Sequence, residues 1–147
     1  MGSHYDGESR VFGALLSKLA YDFVGISKSF ALVLGGETTV EIKNASKNAK
    51  GGRNQEAILT ALLTSKIRTN VDITIASVGT DGIDGNSDAA GAVITPTTKN
   101  ISKRKKVNII KYIEDHNSHS ALKRLNSQII TGLTGTNVND IAIICRA

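Results

Sequence analysis

The residues best suited to chemistry lie in the stretch from Ser77 to Gly91, which reads S-V-G-T-D-G-I-D-G-N-S-D-A-A-G. Its four glycines and three aspartates follow an apolar run that predicts a buried strand ending at Gly79. Carboxylates bind cations, accept protons or cap helices, and glycine lets a backbone come close to a ligand. Because ligands of open α/β sheets tend to bind beyond the carboxyl ends of strands, this stretch is predicted to line a ligand site.

The three aspartates of this stretch also fit a purely structural role. Asp-Gly pairs are common in turns, and an Asx turn or helix cap uses the carboxylate to accept local backbone amides. For any one of Asp81, Asp84 and Asp88 this structural role is the more common outcome. Their spacing lacks the alternating ligands and closing Glu of an EF-hand loop, so a dedicated calcium cage is not expected.

A second candidate is the sequence G-G-R-N-Q-E at residues 51–56, which opens a predicted helix. Gly51 and Gly52 would leave amides free at the positive end of the helix dipole, where anions bind. The guanidinium of Arg53 adds a planar fork suited to carboxylate or phosphate. The alternative is that Arg53 pairs with an acidic residue at the surface, but the coincidence of glycines and guanidinium favours the functional role.

A third loop, at residues 131–140, is rich in Gly, Thr and Asn and leads into an apolar strand. It lacks the Gly-Lys-Ser/Thr ending of a Walker A loop, and the chain contains no G-x-G-x-x-G. The loops at 51–56, 79–91 and 131–140 each adjoin a buried strand or helix. We expect them to converge on one edge of a sheet, as a site for a small phosphorylated or carboxylated ligand.

The elements that position these loops are predicted from the spacing of apolar residues. Glu8 to Val24 has helical spacing, with Asp6 as the expected N-cap. Phe30 to Leu34 is a continuous apolar strand that Gly35-Gly36 is expected to end. Thr38 to Ile42 alternates like a half-exposed strand and is predicted to form a hairpin with it or to lie beside it. The remaining predicted elements are a helix opened by residues 51–56 and running to about Ser65, a short helix over 109–115, a helix capped by Ser118 or Ser120 that runs to Leu125, and strands over 73–79, 92–94 and 141–145.

The length predicts one globular domain over residues 1–147, with residues 1–4 set aside because they resemble an expression-tag remnant. The net charge is +5, and its densest cluster lies at residues 99–106. No aromatic side chains interleave there to stack on bases, so nucleic-acid binding is disfavoured. His116 and His119 have no third ligand nearby, and we expect them at the surface or beside a helix cap rather than on zinc.

The cysteine count and the hydropathy bear on the cellular compartment in which the protein is expected. Cys145 is the only cysteine, so no disulfide can form within the chain, which is typical of a reducing cytoplasm. No apolar run is long enough to cross a membrane, and no signal peptide is visible. A cytoplasmic protein without a membrane partner is expected.

Four motifs carry a resemblance to a known family. They are G-G-E-T-T-V at 35–40, G-G-R-N-Q-E at 51–56, G-T-D-G-I-D-G-N-S-D-A-A-G-A-V at 79–93 and T-G-L-T-G-T-N-V-N-D at 131–140. In this order they resemble the MOFRL domain, the C-terminal part of the glycerate kinase family, some of whose members are named hydroxypyruvate reductase. The resemblance implies a three-layer α/β domain with a mixed β-sheet flanked by helices. It also implies a larger N-terminal Rossmann-like kinase domain, absent from this chain, with the active site in the cleft between the two.

The resemblance further implies ATP-dependent phosphorylation of glycerate to 2-phosphoglycerate with Mg²⁺. Arg53 would contact the glycerate carboxylate or the transferred phosphate. Asp81 and Asp88 would act in catalysis, where one of them would bind magnesium or they would contact the substrate hydroxyl, or they would shape the loop. The residues that would bind or frame the substrate are Glu37, Gly51, Gly52, Thr134, Gly135, Thr136 and Asn137.

Departures from the family pattern limit what carries over. Leu133 stands where the family usually has proline, and the acid and aromatic of a family Asn-Asp-Ser-Tyr element are replaced in the segment 116–119. ATP and Mg²⁺ would require the absent domain, so the chain is expected to be inactive alone and to need a separate N-terminal kinase polypeptide as partner. The alternative is a non-catalytic module that binds small anions or regulates.

Overall fold

The computed structural model of the protein describes residues 5–68 and 70–146. Within these ranges the chain forms six strands and five α-helices, none of which is long and apolar enough to cross a membrane. In chain order the elements are β1 (Tyr5–Glu8), α1 (Ser9–Asp22), β2 (Phe30–Thr39), α2 (Arg53–Thr64), β3 (Thr74–Gly79), β4 (Gly91–Ile94), α3 (Thr98–Arg104), α4 (Ile109–Glu114), α5 (Ser118–Leu125), β5 (Gln128–Ile129) and β6 (Asp140–Arg146).

The strands form one sheet in the order β1-β2-β6-β3-β4-β5. β1 runs parallel to β2, whereas the other neighbouring pairs are antiparallel, so the sheet is mixed. β6 is the last of these strands along the chain, yet it lies between β2 and β3 and joins the two halves of the sheet. The predicted α/β class, with a mixed sheet flanked by helices, is confirmed.

α2 is the central helix of the domain. Its apolar residues recur on all sides, and Ala57, Ile58 and Leu59 are fully buried. The polar residues of its first turn, Asn54 and Gln55, are buried as well. Because a buried polar group costs free energy unless it is hydrogen-bonded, this turn must find polar partners from other parts of the chain.

The hydrophobic core lies between the helices and one face of the sheet. Leu16 of α1 and Leu122 of α5 belong to the same buried cluster as Ile75 of β3 and Ile144 of β6. The residues that alternate with them along the strands point to the opposite face, and none of these belongs to the core cluster. The described helices and the sheet thus supply two of the three predicted layers.

Two features of the amino-terminal part of the chain differ from the prediction. Gly35-Gly36 does not end a strand, and no hairpin follows, because β2 runs unbroken through both glycines to Thr39. Gly36 pairs with Tyr5 of β1, and a Cβ at Gly36 would overlap the Tyr5 backbone, so glycine here serves a close approach rather than a turn. The N-cap of α1 is Glu8 rather than Asp6, since the Glu8 carboxylate accepts the first free amides of the helix.

Candidate functional site

The end of β3 and the start of β6 define the end of the sheet where the candidate site lies. Gly36 of β2, Asp140 of β6 and Gly79 of β3 are paired in one row across the sheet. The 79–91 loop leaves this row and the 131–140 loop enters it. α2 begins beside it, since Arg53 contacts Asp140. The structure therefore brings the three glycine-rich loops together at one end of the sheet.

Arg53, the first residue of α2, is held by a buried carboxylate. Its Nε donates to Asp140 Oδ2 at 2.6 Å, and its Nη2 donates to Asp140 Oδ1 at 3.0 Å. The remaining nitrogen, Nη1, lies 3.4 Å from Oε1 of the half-exposed Glu37. The hydrogen bond to Asp140 raises the pKa of Arg53, so the guanidinium stays charged. A bidentate pair fixes the guanidinium plane and leaves the Nη1 edge as the part available to a ligand.

Asp140 is itself fixed from the sheet and from α2. Its Oδ1 also accepts a hydrogen bond from Asn54 Nδ2 at 3.0 Å, and Asn54 Oδ1 accepts one from Ser77 Oγ at 2.5 Å. All three side chains are buried. A fully satisfied buried network is rigid, so groups on three elements set the position of the Arg53 guanidinium.

Asp84 caps α2 from a distant loop. Gly52, the N-cap residue, has no side chain for the task; Asp84 Oδ1 accepts the Asn54 amide at 3.0 Å and Oδ2 accepts the Gln55 amide at 2.9 Å. A Cβ at Gly52 would overlap the Asp84 carboxyl, which explains the glycine. The prediction that these helix amides await an external anion is therefore corrected, because a carboxylate of the chain itself already occupies two of them.

The Asp84 carboxyl is only 2% exposed. This burial raises its pKa, whereas the hydrogen bonds from Gln55 and Asn54 act in the opposite direction. Gln55 Nε2 adds a further bond to Oδ2 at 3.0 Å and also donates to Ser87 Oγ at 2.8 Å. The first turn of α2 and the 79–91 loop therefore satisfy each other's buried polar groups.

Apart from Asp140, the 131–140 loop is bonded to the 79–91 loop rather than to Arg53. Thr134 donates from its amide to the Asp81 carbonyl at 3.2 Å and from its hydroxyl to the Thr80 carbonyl at 2.5 Å. Thr136 and Asn137 make contacts within their own loop; the Asn137 side chain accepts the amide of Asn139 at 3.0 Å. Gly135 has a φ of 76°, a value that glycine adopts without strain.

A cavity of about 900 Å³ opens beside Arg53. Its volume is in the range of small-molecule pockets. Four residues predicted for the site line it, namely Glu37, Gly51, Gly52 and Arg53. Other lining residues come from positions between 38 and 49, from Gly85 and Asn86, and from Glu56 and His116. Asp81, Asp88 and residues 134–137 do not line it.

A buried polar cluster adjoins the cavity. Arg10 of α1 donates from Nε to Glu56 Oε1 at 2.6 Å, and His116 Nδ1 lies 3.2 Å from Glu56 Oε2. The Lys43 amide donates to His116 Nε2 at 3.1 Å, so Nε2 is an acceptor and the proton of the neutral ring lies on Nδ1, facing Glu56. The segment that lines much of the cavity is thereby tied to α1 and α2.

The surface position expected for the two histidines is wrong. His116 and His119 are each only 8% exposed. His119 Nδ1 lies 3.2 Å from Gln55 Oε1 and 2.9 Å from Gln128 Nε2. Burial lowers the pKa of His119, which keeps the ring neutral. Their place beside the start of α5 does agree with the expected cap-adjacent position.

Asp81 and Asp88 have local roles in the structure. Asp81 Oδ1 accepts the Ile83 amide at 3.1 Å, as in an Asx turn, and the exposed Asp88 lies 3.5 Å from His119 Nε2. In residues 5–68 and 70–146, no group of three His, Cys, Asp or Glu side chains is arranged to hold a metal ion. The residues present do not fit a Mg²⁺ cage built by this chain alone.

The sequence did not single out Asp140, the partner of Arg53, or the buried Asn54 and Gln55. It indicated Asp84 only as one of three aspartates that could shape a turn or cap a helix, and the structure shows that it caps α2. One signal was present. A helix that is apolar all round buries its polar residues too, and three polar residues in its first turn then require buried partners. The sequence could not tell which acids would supply them.

The comparisons with known proteins agree with this architecture. The sequence model of the MOFRL family matches residues 30–140. A glycerate 2-kinase of Pyrococcus horikoshii is 38% identical over 97% of the chain, and a D-glycerate 2-kinase of Thermotoga maritima is 36% identical over 91%. The crystal structure of a glycerate kinase from Thermotoga maritima superposes with a TM-score of 0.88 over 99% of the chain at 34% identity.

The chain is shorter than these relatives. It spans 32% of the Pyrococcus protein, 31% of the Thermotoga protein and 35% of the Thermotoga crystal chain. The matched family region contains all three glycine-rich loops and Arg53. The chain therefore belongs to the MOFRL family and is a glycerate kinase-related domain.

Proposed function

We propose that the chain is the C-terminal part of an ATP-dependent kinase that phosphorylates glycerate to 2-phosphoglycerate, and that it is inactive alone. The observation that carries the proposal is Arg53, a permanently charged and immobilised guanidinium that lines a cavity at the end of the sheet. The relatives named as glycerate 2-kinases support the choice of substrate.

In this proposal the Nη1 edge of Arg53 binds the glycerate carboxylate or the transferred phosphate. Glu37 lies at the same edge, so an anionic ligand has to displace or flank its carboxylate. Gly51 and Gly52 line the cavity beside Arg53, and the turn from Thr134 to Asn137 frames the neighbouring side of the completed cleft. Phosphoryl transfer depends on positioning and charge neutralisation, for which a fixed guanidinium is suited.

ATP would supply the phosphoryl group, and Mg²⁺ would neutralise charge on its phosphates. The acidic side chains in the described part of the chain do not build a metal cage, and Asp84 caps two of the α2 amides. We therefore assign nucleotide and metal binding mainly to the partner polypeptide, with Asp81 or Asp88 contributing at most one metal ligand.

Reconstitution tests this proposal. The chain is mixed with the remaining two-thirds of the Thermotoga maritima D-glycerate 2-kinase, and ADP release is measured with and without glycerate. We expect release only with both polypeptides and glycerate present, and its loss with Arg53→Ala. A folded, monodisperse pair without glycerate-dependent release contradicts the kinase assignment.

A non-catalytic module that binds small anions is the second candidate, because the charged Arg53 lines a cavity of small-molecule size. Calorimetric titration of the isolated chain with glycerate, 2-phosphoglycerate and ATP distinguishes the two. Micromolar binding of an anion without any activity in the reconstituted pair favours the module. Binding that survives Arg53→Ala removes Arg53 as the anchor in both schemes.

A further inference from the structure

The sheet has a second face that is apolar but uncovered by the described residues. Along β2, β6, β3 and β4, every second residue points away from the helices; the larger ones are Val33, Ala76, Val78, Val93, Ile141 and Ile143, which we call the open face. Val33 is 60% exposed, and the other five are half-buried. None of the six belongs to the core cluster.

The composition of the open face is that of a buried surface. Antiparallel sheets with one face in water usually alternate between apolar and polar residues, whereas sheets covered on both sides are apolar on both. Where β2, β6, β3 and β4 pair with one another, this side of the sheet carries no charged residue. A contiguous apolar surface of this kind marks an interaction site.

We propose that the open face is the docking surface for the polypeptide that the relatives carry beyond the matched third, whether joined to this chain or supplied separately. The relatives are about three times as long as this chain, which spans 32% and 31% of two of them. An apolar layer from that polypeptide would cover the sheet as α1 and α2 cover its other side.

The position of the open face also fits a partner that completes the candidate site. Gly35, Ile141 and Val78 are paired across the sheet, in the row next to that of Gly36, Asp140 and Gly79, which borders the site. A layer seated on the open face would reach the end of the sheet where Arg53 lies. The open face as docking surface rests on the proposed function, because it names where the second polypeptide binds. The test below measures packing and not catalysis, so the docking surface and the kinase activity can fail separately.

The test uses Cys145, the only cysteine of the chain, as a reporter on the open face. Cys145 pairs with Ala31 and Thr74 and is partly exposed. A chimera is made in which this chain replaces the matching third of the Thermotoga maritima D-glycerate 2-kinase. Alkylation of Cys145 by iodoacetamide is followed by peptide mass spectrometry in the chimera and in the isolated chain. We expect alkylation to be about tenfold slower in the chimera, because a covered thiol reacts only when the interface opens.

A matched pair of substitutions locates the interface. Val33→Lys places a charge on the open face, and Val11→Lys places one on α1 at nearly the same exposure, 60% against 62%. We expect Val33→Lys to restore fast Cys145 alkylation in the chimera and Val11→Lys to leave it slow. Neither should change the melting temperature of the isolated chain by more than about 2 °C, since both sites face water there.

Three results would overturn the proposal. Equal alkylation rates in the isolated chain and in a monodisperse chimera would show that the face stays open. If the chimera aggregates, the chain is mixed with a tenfold excess of the remaining two-thirds of the Thermotoga protein, and unchanged alkylation there has the same meaning. A stable dimer of the isolated chain that Val33→Lys converts to monomer would assign the face to a second copy.

Discussion

At the scale of the residue, Arg53 depends on Asp140 for its orientation. Two guanidinium nitrogens are bound to the Asp140 carboxylate, and the third is left toward Glu37. A long side chain without such a partner would sample many rotamers, and ordering it on a ligand would cost free energy. Asp140 thus lowers the positive charge at the site while holding the guanidinium in place, and these two effects on anion binding have opposite signs.

We predict that Asp140→Asn weakens binding of glycerate or 2-phosphoglycerate to the isolated chain by about tenfold, or about 1.4 kcal/mol. The substitution removes a negative charge, which alone would strengthen anion binding. Loss of the bidentate pair frees the guanidinium, and we expect this positional effect to be the larger. Isothermal titration calorimetry measures the change.

Glu37→Gln is the matched control, since it also removes one carboxylate beside Arg53 but leaves the pair with Asp140 intact. We expect it to leave anion binding unchanged or to strengthen it. If both substitutions strengthen binding, Asp140 acts only through its charge, and it does not position Arg53.

His119 gives a prediction about pH. Burial lowers its pKa below the value of 6.5 that the ring has in an unfolded chain. His119 therefore binds a proton more readily in the unfolded chain than in the folded one. The contribution of neutral His119 to stability is complete above pH 6.5 and is lost as the pH falls toward the lower pKa that His119 has in the folded chain. Urea unfolding at pH 7.5, 6.5 and 5.5 should show a steeper loss of stability below pH 6.5 for the native chain than for His119→Gln. Parallel curves for the two proteins would contradict this.

At the scale of the element, α2 lacks an N-cap side chain of its own. Gly52, which precedes the helix, packs so closely against Asp84 that no larger residue fits. The carboxylate of Asp84 caps the helix by accepting the amide of Asn54, although the two residues are 30 positions apart in the chain. The helix start and the 79–91 loop therefore form as one unit. The same contact places Arg53, the first helical residue, at the end of the sheet.

We predict that Asp84→Ala lowers the free energy of unfolding by about 2–4 kcal/mol, because a cap is lost and buried amides are left without an acceptor. Asp84→Asn should cost less, since it retains one acceptor oxygen. Asp88→Ala is the control: it removes a carboxylate from the same loop whose side chain is 79% exposed, and should change stability by less than about 0.5 kcal/mol. Denaturant unfolding gives the three values. Equal losses for Asp84→Ala and Asp88→Ala would show that Asp84 does not cap α2.

At the scale of the whole molecule, the sequence predicted what short-range patterns determine. The apolar residues predicted a helix opened by residues 51–56 and running to about Ser65, against Arg53–Thr64 in the structure, and the apolar runs predicted β3 and β6. Glycine-rich stretches gave the three loops. Each of these features depends on residues within one segment, so it can be read without knowing the fold.

What the sequence could not predict depends on which distant segments meet. Gly36 has the composition of a turn, but β1 packs against it within a strand. Asp84 and Asp81 lie in the same Asp-Gly pattern, yet only Asp84 faces the start of α2. Asp140 finds Arg53 because β6 inserts between β2 and β3, an order that no local pattern specifies.

The ion pair of Arg10 and Glu56 joins α1 to α2 and carries the last prediction. Glu56 is 3% exposed and is shared with His116, whereas Lys18 and Asp22 form an exposed pair within α1. A charge left alone in a buried place costs far more than one left in water, so coupling should be strong only in the first pair. In double-mutant cycles with Arg10→Met and Glu56→Met, we expect a coupling of about 2 kcal/mol, with the double variant recovering much of the single losses. The Lys18→Met and Asp22→Met cycle should give less than about 0.5 kcal/mol. Similar coupling in both cycles would mean that the buried pair does not link the two helices, and that packing of their apolar faces alone holds α1 against α2.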